Sequence, residues 1–307
     1  MFRYIINRLF MLIPVVIGIT LFIYVIMSLA PGDPARLILG TDATYEEILA
    51  KREELGLNDP ILVRYGKYMW GVVRGQFGES WYNGFNVMSE FASRLPNTFT
   101  LGLLSMAIST FIGIPLGIIA AVRQNSALDY TTLVLAMLFS SIPAFLFGLI
   151  AQVWFSLALG WFPATGAGSF THFILPAVTL ATASLAAQVR LTRTSMLEVN
   201  KLDYVRTARS KGASESRIVL RHVLRNGMLP VVTRIGQNFA NIISGAIVTE
   251  SVFSIPGVAS LMINAVKIRD VPVVMGIIVV IALFVGVVNL LVDLTYAVID
   301  PRVKLEA

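Results

Sequence analysis

The chain has no cysteine and only two histidines among its 307 residues. Disulfides, thiolate metal sites and cysteine redox chemistry are excluded, and the redox compartment is left open. Charge is scarce too: Asp, Glu, Lys and Arg supply 14%, against about 25% in soluble domains. No G-x-x-x-x-G-K-[ST] stretch occurs, so the chain has no nucleotide-cradling loop of its own. No serine lies in a G-x-S-x-G context, and His172 and His222 sit at or beyond apolar edges without partners at metal-ligand spacing. Both read as structural, and an intramembrane protease is disfavoured. Carboxylates at mid-span are missing as well: Glu250 and Asp293 fall at span ends, which argues against proton-coupled transport.

What is present is apolar surface. Hydrophobic residues make up 56% and the mean hydropathy is +0.76, so the apolar residues must face lipid. Six stretches read as spans: Leu9 to Ala30, Thr98 to Val122, Thr131 to Leu159 with Pro143 inside it, Phe173 to Val189, Pro230 to Thr249, and Val271 to Val292. The fifth is the weakest, because it carries Arg234, Gln237, Asn238 and Asn241. The first is too long for a signal-peptide core and ends in a poor cleavage site, Ala30-Pro31-Gly32-Asp33. It reads as a retained helix.

With the N-terminus inside, 15 of the 24 basic residues but only 7 of the 18 acidic ones face the cytoplasm. Both termini are therefore expected there. The formal net charge of +6 becomes a topology signal, and nucleic acid is not expected as a partner. The chain divides into a first segment and helix, 1–30, an extracytoplasmic helical region, 31–97, a membrane domain, 98–296, and a tail, 297–307.

Two loops exceed connector length. In the first, Thr44-Tyr45-Glu46-Glu47 fits a capping box opening a helix that ends near Gly56. Asp59-Pro60 is expected to cap a second helix with Pro at its first position. Ile61, Tyr65, Tyr68, Met69 and Val72 share a face there, and Trp70, Trp81 and Tyr82 add interfacial aromatics. The region reads as a helical cap on the outer surface, or as a spacer. The second loop, 190–229, holds nine Lys and Arg residues against three acids. Asp203 is expected as N-cap of a short helix through Lys211, with Gly212 as its left-handed stop. Ser214 is expected to cap an amphipathic helix that Pro230 ends or kinks. Such a loop makes a knob on which another protein can push. The plain alternative is positive-inside charge.

The fifth span has one polar side, with Arg234, Gln237, Asn238, Asn241, Ser244 and Gly245 at three- and four-residue spacing. Such a stripe either lines water or joins helices.

Two runs carry a resemblance. They are Asp203-Tyr204-Val205-Arg206-Thr207-Ala208-Arg209-Ser210-Lys211-Gly212-Ala213-Ser214 and Leu220-Arg221-His222-Val223-Leu224-Arg225-Asn226-Gly227-Met228-Leu229-Pro230. They resemble the cytoplasmic signature of bacterial ABC importer permeases in its dipeptide/oligopeptide/nickel form. Arg206-Thr207-Ala208 stands where the wider family has Glu-Ala-Ala. Further matches are Pro31-Gly32-Asp33-Pro34-Ala35, Leu55 to Pro60, Gly75 to Ser80, Arg94-Leu95-Pro96-Asn97-Thr98, Ile247 to Phe253 with Pro256-Gly257, and Asp300-Pro301-Arg302.

The resemblance implies an all-α type I ABC importer permease fold with six transmembrane helices in the bacterial inner membrane. It implies a second, homologous permease, two P-loop ATPase subunits and an extracytoplasmic substrate-binding protein. ATP and magnesium are then used by the ATPases, and this chain binds no cofactor or metal and is not itself an enzyme. Asp203, Tyr204, Arg206, Thr207, Ala208, Arg209, Lys211 and Gly212 become the coupling helix. Arg234, Gln237, Asn238, Asn241 and Ser244 are the pathway candidates, and Pro31, Gly32, Asp33 and Pro34 the outer-loop candidates. The implied cargo is a dipeptide or oligopeptide, with nickel chelates, glutathione or oligosaccharides as alternatives within the subgroup. A secondary transporter or a membrane scaffold are the readings outside it.

Overall fold

A computed structural model describes residues 2–240, 242 and 246–299. Among these the only β-type pairing is an isolated antiparallel bridge, Glu79 to Asn86. Everything else that is regular is helical. Among the described residues four single helices are long and apolar enough to cross a membrane: α1 (Phe2–Leu29), α5 (Val87–Val122), α8 (Thr171–Asn200) and the last helix, Val271–Ile299.

The third expected span, interrupted at Pro143 as read, is made of two helices. The helices α6 (Ala127–Ser141) and α7 (Ala144–Ala151, continued as π-helix over Gln152–Ala158) meet at a 94° bend. Pro143 causes it: proline cannot donate to the previous turn, and it forces extended backbone on Ile142 (ψ 123°). Of the fifth span, only Leu229–Ala240 and Ile247–Val252 are described as helices; Asn241 and Ser244 lie outside the described residues.

Two compact units divide the chain. Among the described residues the first comprises 2–97 and 256–291. Here α1 is followed by α2 (Pro34–Leu39), α3 (Tyr45–Glu54) and α4 (Ile61–Val73). The Thr44–Glu47 capping box forms in full. Pro60 departs from expectation: its ψ of 142° keeps it outside α4 as the N-cap, and no side chain caps the helix. Asp59 instead pairs with Lys67 at 2.6 Å. The apolar face of α4 is as read: Ile61, Tyr65, Tyr68 and Met69 pack with Tyr24, Val271 and Met275. Thr20 of α1 and Tyr65 share a buried hydrogen bond of 2.9 Å. Asp270 is buried and accepts from Ser80 Oγ and from the Trp81 amide, tying the turn before α5 to the start of the last helix.

The second unit comprises 98–255 and 292–299. Its core gathers Leu101, Phe173, Leu175, Ala246, Phe253 and Ile255. Glycines let α5 approach α8 closely. A Cβ on Gly113 would lie 3.0 Å from Gln188 Cβ, and one on Gly117 would lie 2.6 Å from Thr192 Cβ and 2.8 Å from the Val189 carbonyl. This is small-residue packing of the kind that joins membrane helices. α6 is fixed to α8 by a two-pronged ion pair: Arg193 Nε and Nη2 donate to the two oxygens of fully buried Asp129 at 2.6 and 2.7 Å.

Candidate functional site

The basic loop folds into a closed bracket at the end of α8. Lys201 terminates α8, and after Leu202 alone the chain enters α9 (Asp203–Ser210). Leu202, not Asp203, is the N-cap; its carbonyl accepts from the amides of Val205 (3.0 Å) and Arg206 (3.2 Å), and no side chain caps the helix. The expectation for Asp203 is corrected by one position, because the tight exit from α8 puts the extended residue at Leu202 (ψ 148°). Asp203 is exposed in the first turn, where its charge suits the positive end of the helix. It lies 3.8 Å from Arg206.

The far end stops as the sequence predicts. Gly212 has φ +80°, and the amides of Gly212 and Ala213 return to the carbonyls of Arg209 and Ala208. A Cβ at Gly212 would meet nothing within 4 Å, so the left-handed backbone alone demands glycine there. The chain then passes through α10 (Glu215–Arg217), a π-helical stretch (Ile218–Val223) and α11 (Leu224–Gly227) into α12 (Leu229–Ala240). Only Met228 separates the last two, and Pro230 occupies the first turn of α12, where its missing N–H does no harm.

Three contacts hold the bracket shut. Val205 is fully buried among Met196, Ile218 and Val223. Tyr204 donates to the His222 carbonyl at 3.2 Å and accepts from Asn226 Nδ2 at 2.7 Å. Arg209 grips Glu215 through Nε (2.6 Å) and Nη2 (3.1 Å). That hydrogen-bonded pairing raises the Arg209 pKa and lowers that of Glu215.

The sequence grouped Arg206, Arg209 and Lys211 as partner-facing cations. All three are exposed, but Arg209 is tied to Glu215 by two hydrogen bonds, whereas Arg206 lies only 3.8 Å from Asp203 and Lys211 has no ion pair among the described residues. Thr207 is exposed, with its hydroxyl donating to the Asp203 carbonyl, and Ala208 is half-buried. The sequence reading missed Val205, Glu215 and Asn226 as ties. Val205 alone carried a signal, as an aliphatic residue between charged neighbours.

Of the stripe, Arg234 and Gln237 are exposed, and Asn238 lines a cavity of about 130 Å³ with Ser105, Ser109 and Ser184. Phe239, on the opposite side, meets Phe99 edge to face at 6.4 Å. The outer-loop candidates are shaped by their own backbone. Arg269 donates to the carbonyls of Ala30, Pro31 and Gly32. Asp33 caps α2 through the Ala35 amide and pairs with Arg52 at 3.0 Å, and Pro34 opens α2. Two other quoted runs meet in space, Asn97 donating to the Pro256 carbonyl and Thr98 to Glu250. Glu250, read as a span-end residue, is fully buried.

Residues 113–305 match the family described as the inner membrane component of binding-protein-dependent transport systems. The chain belongs to this family. Residues 1–102 match the N-terminal region of such membrane components. This member of the binding-protein-dependent permeases is a multi-pass protein of the inner membrane. It is 40% identical over 304 residues to the glutathione transport system permease proteins GsiC of Salmonella paratyphi A and Escherichia coli K12, covering 99% of each chain. Its fold is that of solved ABC importers. An inward-facing structure of the MetNI methionine ABC transporter aligns at TM-score 0.57 and 15% identity, over 69% of this chain and 97% of that one. An amino acid ABC transporter crystallised with histidines aligns at TM-score 0.54 and 16% identity, over 68% and 93%.

Proposed function

We propose that this permease forms half of the translocation pathway of an ATP-driven peptide importer. A second, homologous permease forms the other half, two P-loop ATPases dock on the cytoplasmic side, and a binding protein delivers cargo outside. The observation that carries this reading is the α9 bracket. It is a short helix with a buried apolar underside, a glycine stop and exposed Arg206 and Lys211, held directly on the end of a transmembrane helix.

In this reading the ATPases grip α9 from below. Closure of the ATPase pair pushes the bracket, and α8 carries the displacement into the bundle, which exchanges inward for outward access. Arg206 and Lys211 meet acidic groups of the ATPase cleft, and Arg209 keeps the bracket in shape. The nucleotide and its magnesium stay with the ATPases. Asn238, with Ser105, Ser109 and Ser184, lies on the pathway wall, and Arg234 and Gln237 continue that wall toward the cytoplasm. Both termini face the cytoplasm, and the chain crosses the membrane six times.

The cargo is a small peptide. Glutathione, itself a tripeptide, is the specific candidate, supported by the names and the full-length similarity of the GsiC relatives. Affinity purification from the native membrane in mild detergent tests the assembly. A second permease, two ATPases and a binding protein are expected in the eluate, and the ligand retained by that binding protein identifies the cargo. Recovery of the chain alone or as a homo-oligomer would sink the proposal.

A further inference from the structure

The first unit contains a cavity that the transport reading does not use. Its volume is about 440 Å³, and its walls include Tyr24, Ser28, Asp33, Arg52, Arg64 and Trp81. That volume falls in the range of small-molecule sites, about 300–1,000 Å³. The charges do not balance. Asp33 spends one oxygen on the Ala35 amide and the other on Arg52 Nη1. Arg64 has no ion pair among the described residues; the Tyr24 ring lies 6.0 Å from its guanidinium carbon. The Nε atoms of Arg52 and Arg64 are both buried without an acceptor. Those Nε atoms are closed off from the cavity, so the donors Arg64 can offer there are its Nη groups, which have no hydrogen bond among the described residues, and the planar fork of arginine suits an oxyanion.

The walls are also fixed in advance. Arg269 holds the carbonyls of Ala30, Pro31 and Gly32 at the rim, and Asp270 holds the Trp81 amide. Such preorganisation lowers the cost of binding.

We propose that this cavity is an oxyanion site, taking one carboxylate or phosphate group against Arg52 and Arg64 with the attached carbon chain on Tyr24 and Trp81. Two sources supply such a group: a small carboxylate solute and the headgroup of an anionic lipid. The proposal does not depend on which cargo is transported.

The test uses the full chain in phosphatidylcholine nanodiscs with Trp81 as reporter, the exposed Trp70, Trp154 and Trp161 being replaced by Phe. In one arm alanylalanine and its C-terminal amide are titrated. In the other, phosphatidylglycerol replaces part of the phosphatidylcholine. A saturable fluorescence change with alanylalanine but not its amide assigns the site to solutes. A change on adding phosphatidylglycerol assigns it to lipid. In either case Arg64→Gln is expected to weaken binding about tenfold or more, the loss of a charged hydrogen-bond donor, and Arg64→Lys less. Arg64 lies half-buried at the cavity wall, and an unchanged melting temperature of the variants confirms folding. If neither arm gives a change that depends on Arg64, or if the amide binds as well as the acid, the proposal is overturned.

Discussion

Thr98 and Glu250, separated by 152 residues in the sequence, meet in a 2.6 Å hydrogen bond with both side chains fully buried. The bond joins the second-unit portion of α5 to α13 (Ile247–Val252). Thr98→Val keeps the shape but removes the hydroxyl, leaving a buried carboxylate oxygen short of one donor. The expected cost is about 1–3 kcal/mol, read as a lower melting temperature in detergent. Thr98→Ser, which restores the hydroxyl, is expected to recover most of it. Equal stability of Thr98→Val and the parent would show that the bond contributes nothing.

Gly212 allows a graded test, because its φ of +80° and the open space around it separate backbone strain from steric clash. Asn, which tolerates left-handed backbone, is expected to retain most uptake. Ala and then Val are expected to lose progressively more, strain of about 1–3 kcal/mol being concentrated at the end of α9. ATPase activity in the reconstituted complex should become uncoupled from transport in the same order. Membrane insertion is expected to be unchanged. Wild-type uptake by Gly212→Val would remove the coupling role of α9.

The Arg209–Glu215 pair predicts a pH response. The folded-state pKa of Glu215 is lowered by its hydrogen bonds to Arg209. Its contribution is therefore present above the ordinary value of 4.5 and is lost as the pH falls through the lowered one. A fluorine label at Ser216 should report a constant environment from neutral pH down to about that ordinary value, then a change. Arg209→Gln should abolish the acid transition and show the opened environment at all pH values. Persistence of the transition in Arg209→Gln would refute the assignment.

Asp129 and Arg193 form the pair with the larger expected effect. Asp129 is fully buried, and Arg193 reaches both of its oxygens. Asp129→Asn leaves a largely buried guanidinium without its counter-charge, at an expected cost of about 3–5 kcal/mol. Arg193→Lys keeps the charge but loses the fork. Thermal unfolding should rank them with Arg193→Lys the milder. Uptake should track stability, since neither group lies in the α9 bracket.

Local chemistry was legible in the sequence, and distant chemistry was not. The capping box at Thr44 and Glu47 and the stop at Gly212 are each specified within a few residues, and both appear as read. The long apolar runs around α1, α5, α8 and the last helix, Val271–Ile299, were equally plain. Asp203 was misplaced by one position, because the turn it was meant to cap depends on how α8 ends. The 94° bend at Pro143 was visible as a proline but not as an angle. The approach of Gly117 to Thr192 and the pairing of Thr98 with Glu250 need two separate segments to be brought together, and no spacing rule within one segment encodes that.

The π-helical stretch Ile218–Val223 makes this loop sensitive to chain length as well as to composition. A π-turn carries an inserted residue relative to an α-helix. The insertion sets the phase at which Ile218 and Val223 reach Val205, and the phase at which the His222 carbonyl meets Tyr204. One residue added or lost in the α-helical turns beside this stretch, where no wider turn takes it up, would rotate the two flanking parts by about 100° relative to each other, breaking the bracket while leaving its charge intact. Surface loops ordinarily absorb insertions and deletions; this exposed, basic one is expected to accept substitutions at Arg217 or Arg221 far more readily than any change in the number of residues.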